Sequence, residues 1–199
     1  GTWLGYSQAN DLLIEAGSPA RDRAPDEAKG QMAAWRGGDG TLVWRRSFSY
    51  TGQPILHDSV IYTEGAAFDL KTGKPLERQH PITGKPMVWK YLRHYGCNTP
   101  IAGQCLLLFR SAAAGFYDLG REGGTGNWGG FKSGCTANLI PADGVLSAPD
   151  YTRTCTCSYQ NQCSLALVPM EDVEVWTFQA YDRLEGPIRR LGVNFGAPG

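Results

Sequence analysis

Short apolar runs alternate with glycine-bearing polar turns along most of the chain. Two segments align: Ala34-Trp35-Arg36-Gly37-Gly38-Asp39-Gly40-Thr41-Leu42-Val43-Trp44 and Ala67-Phe68-Asp69-Leu70-Lys71-Thr72-Gly73-Lys74-Pro75-Leu76-Glu77. Each carries an alanine, an aromatic, a turn built on glycine and then a strand, with Gly40 and Gly73 in the same place. Asp or Thr ahead of Gly marks a hairpin, because glycine supplies the positive φ that the turn needs.

A strand–polar turn–strand figure precedes the second of these segments, at Pro54–Tyr62, and returns at Pro100–Leu108 and Leu139–Leu146. A third strand is expected after each, at Ala66–Leu70, Gly115–Leu119 and Ser164–Val168. Three or four short strands per unit, at a period of about 40 residues, describe β-propeller blades rather than a sandwich. The expected fold is therefore all-β, with about four blades in a partial or small propeller, or in part of a larger ring. The units fall at residues 1–48, 49–92, 93–132 and 133–178, with 179–199 as a tail or edge segment. A polar excursion occupies Ser18–Lys29.

Composition agrees with this pattern: 26 glycines and 12 prolines among 199 residues mean many turns. The 19 basic residues balance the 19 acidic ones, so the basic stripe of a nucleic-acid binder is missing. The longest apolar run, Cys105–Phe109, stops at Arg110, far short of a membrane span. No signal peptide or initiating Met is seen, and both ends read as cuts.

The stretch Ala67–Lys74 fits Ala-x-Asp-x-x-Thr-Gly-Lys, which resembles the blade signature of quinoprotein-like (PQQ-like) repeats. A Trp usually follows in that family; Trp44 fits and Glu77 departs. Arg110–Leu119 and Ala148–Cys157 resemble a bacterial secreted subgroup of PQQ-like repeat proteins. The resemblance implies a secreted binding or scaffold module, periplasmic or extracellular, whose partners are other propeller segments or protein subunits. It implies two alternatives: a structural subunit of an extracellular assembly, and a dehydrogenase of alcohols or sugars. The dehydrogenase would bind PQQ beside calcium on the ring axis; no cofactor is the leading expectation. Asp150, Asn127 and Asn138 are residues of the right type for the ion and base, but the adjacent-cysteine pair of those enzymes is missing.

Six cysteines, Cys97, Cys105, Cys135, Cys155, Cys157 and Cys163, form an even cluster in the second half, favouring disulfides and an oxidising compartment. Cys105 and Cys163 share a local frame, Gln-Cys ahead of an apolar strand. The subgroup pattern lacks a cysteine at both places, which implies a Cys105–Cys163 staple. Cys97, Cys135, Cys155 and Cys157 would pair among themselves, by Cys155–Cys157 closure or by crossed pairing. A four-cysteine zinc site is the competing reading, although Cys-x-Cys with two lone cysteines matches zinc spacing poorly.

His57, His80 and His94 lack ligand spacing and read as surface or hydrogen-bonded structural residues. No nucleophile elbow or phosphate loop is present; Gly123–Gly130 is glycine-rich but lacks the Gly-Lys-Ser/Thr ending. That run reads as a flexible loop. With Asn127, Trp128 and Lys132, and with the second loop at Asp150, Tyr151 and Arg153, it offers aromatics beside amide and charged groups, suited to a carbohydrate or a peptide. The competing reading packs Trp128 and Tyr151 between blades.

Overall fold

The computed structural model describes residues 3–17, 30–50, 52–80, 82–128, 131, 139–149, 164–169 and 177–178. Their regular structure is all β apart from one 3-10 turn at Gln8–Asn10, with turns and irregular connections between the strands. The first sheet is a meander of β1 (Trp3–Ser7), β2 (Leu12–Ala16), β3 (Gln31–Arg36) and β4 (Leu42–Ser47). The second is β5 (Ile55–His57), β6 (Val60–Tyr62) and β7 (Ala67–Asp69), followed by the hairpin β8 (Glu77–Gln79) and β9 (Pro86–Val88). The third holds β10 (Ile101–Ala102), β11 (Leu106–Ser111), β12 (Ala113–Asp118) and β13 (Thr125–Asn127). The last meander is β14 (Ile140–Ala142), β15 (Val145–Ala148) and β16 (Leu165–Leu167). Finally β17 (Thr177–Phe178) skips the last sheet and pairs with β13 on the outer edge of the third.

Strand alternation gives each inner sheet two apolar faces, and consecutive sheets bury them against each other. Leu12, Ile14, Met32 and Trp44 of the first sheet pack on Ile61, Phe68 and Leu70 of the second. Ala67 and the flanking Trp89 and Tyr91 pack on Leu107, Phe109 and Tyr117 of the third. The opposite face of the third sheet, Leu108, Ala114 and Phe116, meets Leu139 and Ala148 with Leu146 and Leu165 alongside. The first strands of successive sheets also touch, β1 with β5 and β5 with β10. Antiparallel meanders stacked face to face in chain order, with their first strands adjacent, are the architecture of propeller blades.

One turn recurs along the stack. The amide of Gly40 donates to Arg36, that of Gly73 to Asp69, that of Gly84 to His80 and that of Glu122 to Asp118, all at 2.8–2.9 Å. Each donor residue is left-handed, with φ between 51° and 70°. The Asp69 carboxylate accepts from the Thr72 amide (2.8 Å) and hydroxyl (2.6 Å), so the Asp-x-x-Thr-Gly signature is turn chemistry. His80 Nδ1 does the same for the amides of Ile82 and Thr83, and Asp118 for those of Gly120 and Arg121.

Two expectations are corrected. Thr125–Asn127, read as part of a flexible glycine-rich loop, is strand β13. Glycine is required at 126 because the Phe116 ring lies over it; a Cβ there would sit 2.4 Å from the ring. The Cys105–Cys163 staple is not formed: Cys105 is an exposed free thiol. The matching frames are not equivalent in space, since β11 is the second strand of its sheet and β16 the third. Cys97 is also exposed and free, which removes it from the expected cysteine pairing. Cys135, Cys155, Cys157 and Cys163 lie outside the described residues.

Candidate functional site

The connection from the second sheet to the third, residues 89–100, crosses the end of the stack where β6 and β11 finish and β7 and β12 begin. It carries a dense polar cluster centred on Arg93. Arg93 Nε donates to the Arg110 carbonyl (3.0 Å), and its Nη2 donates to the carbonyls of Gly96 (3.0 Å) and Asn98. Its Nη1 pairs with Glu64, in the turn between β6 and β7. One guanidinium thus ties the second sheet to the third. A buried ion pair is sustained only when such hydrogen bonds meet its remaining donors.

The rest of the connection is fastened in the same manner. Asn98 Oδ1 accepts from the buried Arg110 amide (2.8 Å), and Ser111 Oγ accepts from the His94 amide (2.8 Å). The Thr125 hydroxyl donates to the Leu92 carbonyl. Gly96 passes so close to β11 that a Cβ would lie 2.2 Å from the Arg110 carbonyl oxygen. The tight turn after β11 places Ala112 at φ 62°, its amide donating to the Tyr95 carbonyl (2.6 Å).

These bonds leave Tyr95 as the most exposed aromatic of the connection, 67% accessible, with the Arg110 guanidinium 5.5 Å from its ring centre. Exposed Cys97 lies 3.8 Å from the Tyr95 hydroxyl, and His94 is exposed beside it. A flat ring held by a cation, rimmed by an imidazole and a thiol, can stack on a sugar face, a peptide plane or another ring. Beneath, Tyr91 and Tyr117 are buried in the aromatic cluster with Trp89. Burial raises the Tyr91 phenol well above its ordinary value and that of Tyr117 to about 12, so both stay neutral, and the Tyr117 hydroxyl accepts from Arg78 (3.0 Å).

Of the residues expected to bind ligand, the structure places two. Asn127 ends β13, on this same end of the third sheet, and its buried Oδ1 has no hydrogen-bond partner. Trp128 is half-buried and packs against Phe116 at 4.5 Å between ring centres, its amide donating to Ala114 (3.0 Å). It therefore sits at the packing of the third sheet against the last. Lys132, Asp150, Tyr151 and Arg153 lie outside the described residues, as does Asn138. The Arg93 clamp and Tyr95 escaped the sequence reading. An isolated arginine in a non-strand segment rich in aromatics, next to glycine, was the available signal.

His57 ends β5, and its Nε2 lies 3.0 Å from the Gln104 carbonyl, tying the turn after β5 to the turn after β10. A quinone held beside calcium needs several carboxylate and amide oxygens together. Among the described residues no three His, Cys, Asp or Glu side chains gather, and the single amide oxygen of Asn127 does not make such a set. Asp150 and Asn138, the other residues named for that site, lie outside the described residues.

The fold and this end face define an all-β stack of propeller-type blades. No protein-family model matches the chain. No curated protein matches it either. Among solved structures, it is similar to the crystal structure of BamB from Moraxella catarrhalis, at 13% identity and a TM-score of 0.42. The likeness covers 73% of this chain and 42% of that one, so the chain spans less than half the length of the protein it matches. Among the described residues, no helix is long and apolar enough to cross a membrane.

Proposed function

We propose that this chain is a binding or scaffold module of the PQQ-like repeat type, acting outside the cytoplasm on a carbohydrate or peptide ligand. The observation that carries the reading is Tyr95, mounted over Arg110 on the end face where the connections converge. What supports binding over chemistry is how the charged groups there are used. Arg93 and Asn98 are spent holding backbone and Glu64 holds Arg93, and what they present outward is an aromatic ring. Placement outside the cytoplasm follows from the repeat resemblance, since the described cysteines are free thiols.

The test is a glycan and peptide array probed with the chain and with Tyr95→Ala. Retention of a ligand by the parent chain, with affinity about three- to tenfold lower in the variant, supports the reading, since stacking contributes on the order of 0.5–1.5 kcal/mol. Alcohol- or sugar-dependent dye reduction after addition of PQQ and calcium would overturn it in favour of the dehydrogenase.

A further inference from the structure

The three inner interfaces use up one face of the first sheet and one face of the last, and leave the other faces open. Register defines what each open face carries. In the first sheet Leu4 stands opposite Glu15, Glu15 opposite Ala33 and Ala33 opposite Arg45; the next row is Tyr6, Leu13, Trp35 and Leu42. These are the residues that alternate with the buried set Ile14, Met32, Ala34 and Trp44. Leu4 is 64% exposed and Tyr6 54%, while Leu42 and Val43 are exposed beside them. In the last sheet the open face carries Ile140, Ser147 and Ala166 in one row, with Ala142 opposite Val145. Ile140, Val145 and Val168 are exposed there.

We infer that the open face of the last sheet docks on the open face of the first sheet of a second copy of this chain, head to tail. Three observations select that occupant. The open face of the first sheet is topologically the same kind of face that the second and third sheets bury against their predecessors. Both faces are apolar: bulky Leu4, Tyr6, Leu13 and Trp35 stand against a face where small Ala142, Ser147 and Ala166 lie between Ile140, Val145 and Val168.

Charge is the third. The described strands β14, β15 and β16 carry no charged side chain. On the first sheet the Trp35 indole donates to Glu15 (3.2 Å) and lies under Arg45 (5.4 Å), and the Asp11 carboxylate accepts from the Tyr6 hydroxyl (2.8 Å) and the Gly38 amide (3.1 Å), so these charges are all engaged within the sheet. With a formal net charge of zero, copies do not repel at distance. Such a contact is heterologous, using different surfaces on the two partners.

Sedimentation of the chain from about 1 to about 100 μM tests it, a range that resolves interfaces of moderate strength. Concentration-dependent association is expected. Leu4→Lys and Ile140→Lys should each weaken it at least about tenfold, because a charge drawn into an apolar contact costs that or more, and even at position 4, opposite Glu15, an ion pair does not repay its desolvation. Circular dichroism should be unchanged, because both positions are exposed. An equimolar mixture should form a one-to-one complex that neither variant forms alone, since each retains the face the other lacks. Monomers throughout would overturn the inference, leaving these faces to further blades of a longer polypeptide. So would association lost in Leu4→Lys but intact in Ile140→Lys, or association indifferent to both. Tyr6→Lys provides a second probe of the first sheet and should behave as Leu4→Lys does.

Discussion

The Trp44 indole of the first sheet lies across Gly73 of the second, donating to the Leu70 carbonyl at 3.0 Å, and a Cβ on Gly73 would stand 2.7 Å from its ring. Gly73 thus answers to two demands, a left-handed turn and a neighbouring sheet. Gly73→Ala should cost about 2–4 kcal/mol, combining the left-handed penalty with overpacking. Gly40→Ala makes the control: its φ is 70°, yet a Cβ there meets nothing within 4 Å. It should cost only about 1 kcal/mol. Urea denaturation of the two variants measures the difference.

Arg93→Met should destabilise the chain by about 3 kcal/mol, because it strands Glu64 and several carbonyls in a partly closed site. Arg93→Met combined with Glu64→Leu should recover part of that loss, as removal of a whole buried pair does. A double-mutant cycle on denaturation midpoints separates the pair from its surroundings.

Alkaline pH should weaken the fold. Burial raises the Tyr117 phenol to about 12 and drives Tyr91 upward as well. A group whose folded value lies above its unfolded one gives stability that is complete below the unfolded value, about 10 for tyrosine. That stability is lost as pH rises through the folded value. Urea midpoints should therefore be flat at neutral pH and fall progressively above about pH 10. Tyr117→Phe should flatten part of the fall while removing the acceptor of the Arg78 bond, 3.0 Å long.

Cys97 and Cys105 should react with a thiol reagent in the folded protein, both being exposed. Peptide mapping after native alkylation checks it. Cys105→Ser should leave the denaturation midpoint within about 0.5 kcal/mol of the parent, as an exposed substitution does and removal of a disulfide does not.

The strand–turn–strand figures were legible because their determinants are local. Asp58 and Asp143-Gly144 take up positive φ in the turns expected from sequence, and Gly40 and Gly73 share one turn geometry as their alignment implied. The glycine-rich strand β13 was not legible, since Gly126 is selected by the Phe116 ring across the sheet and not by a turn of its own. Nor was the Arg93 clamp. It joins Glu64, Asn98 and Arg110 across two sheets, and no spacing in the chain announces that meeting. The cysteine frames misled for a related reason, because a shared Gln-Cys ahead of an apolar run does not carry the rank of its strand within the sheet.

The jump of β17 back to the third sheet has a kinetic consequence. Among the described residues every other strand pairing joins neighbours in chain order, so each meander can form early and by itself as its residues become available. The pairing of Thr125 with Phe178 instead closes a long loop over the whole last sheet. That closure should come late in folding, acting as a latch whose release exposes the last sheet to unfolding while the first two stay intact.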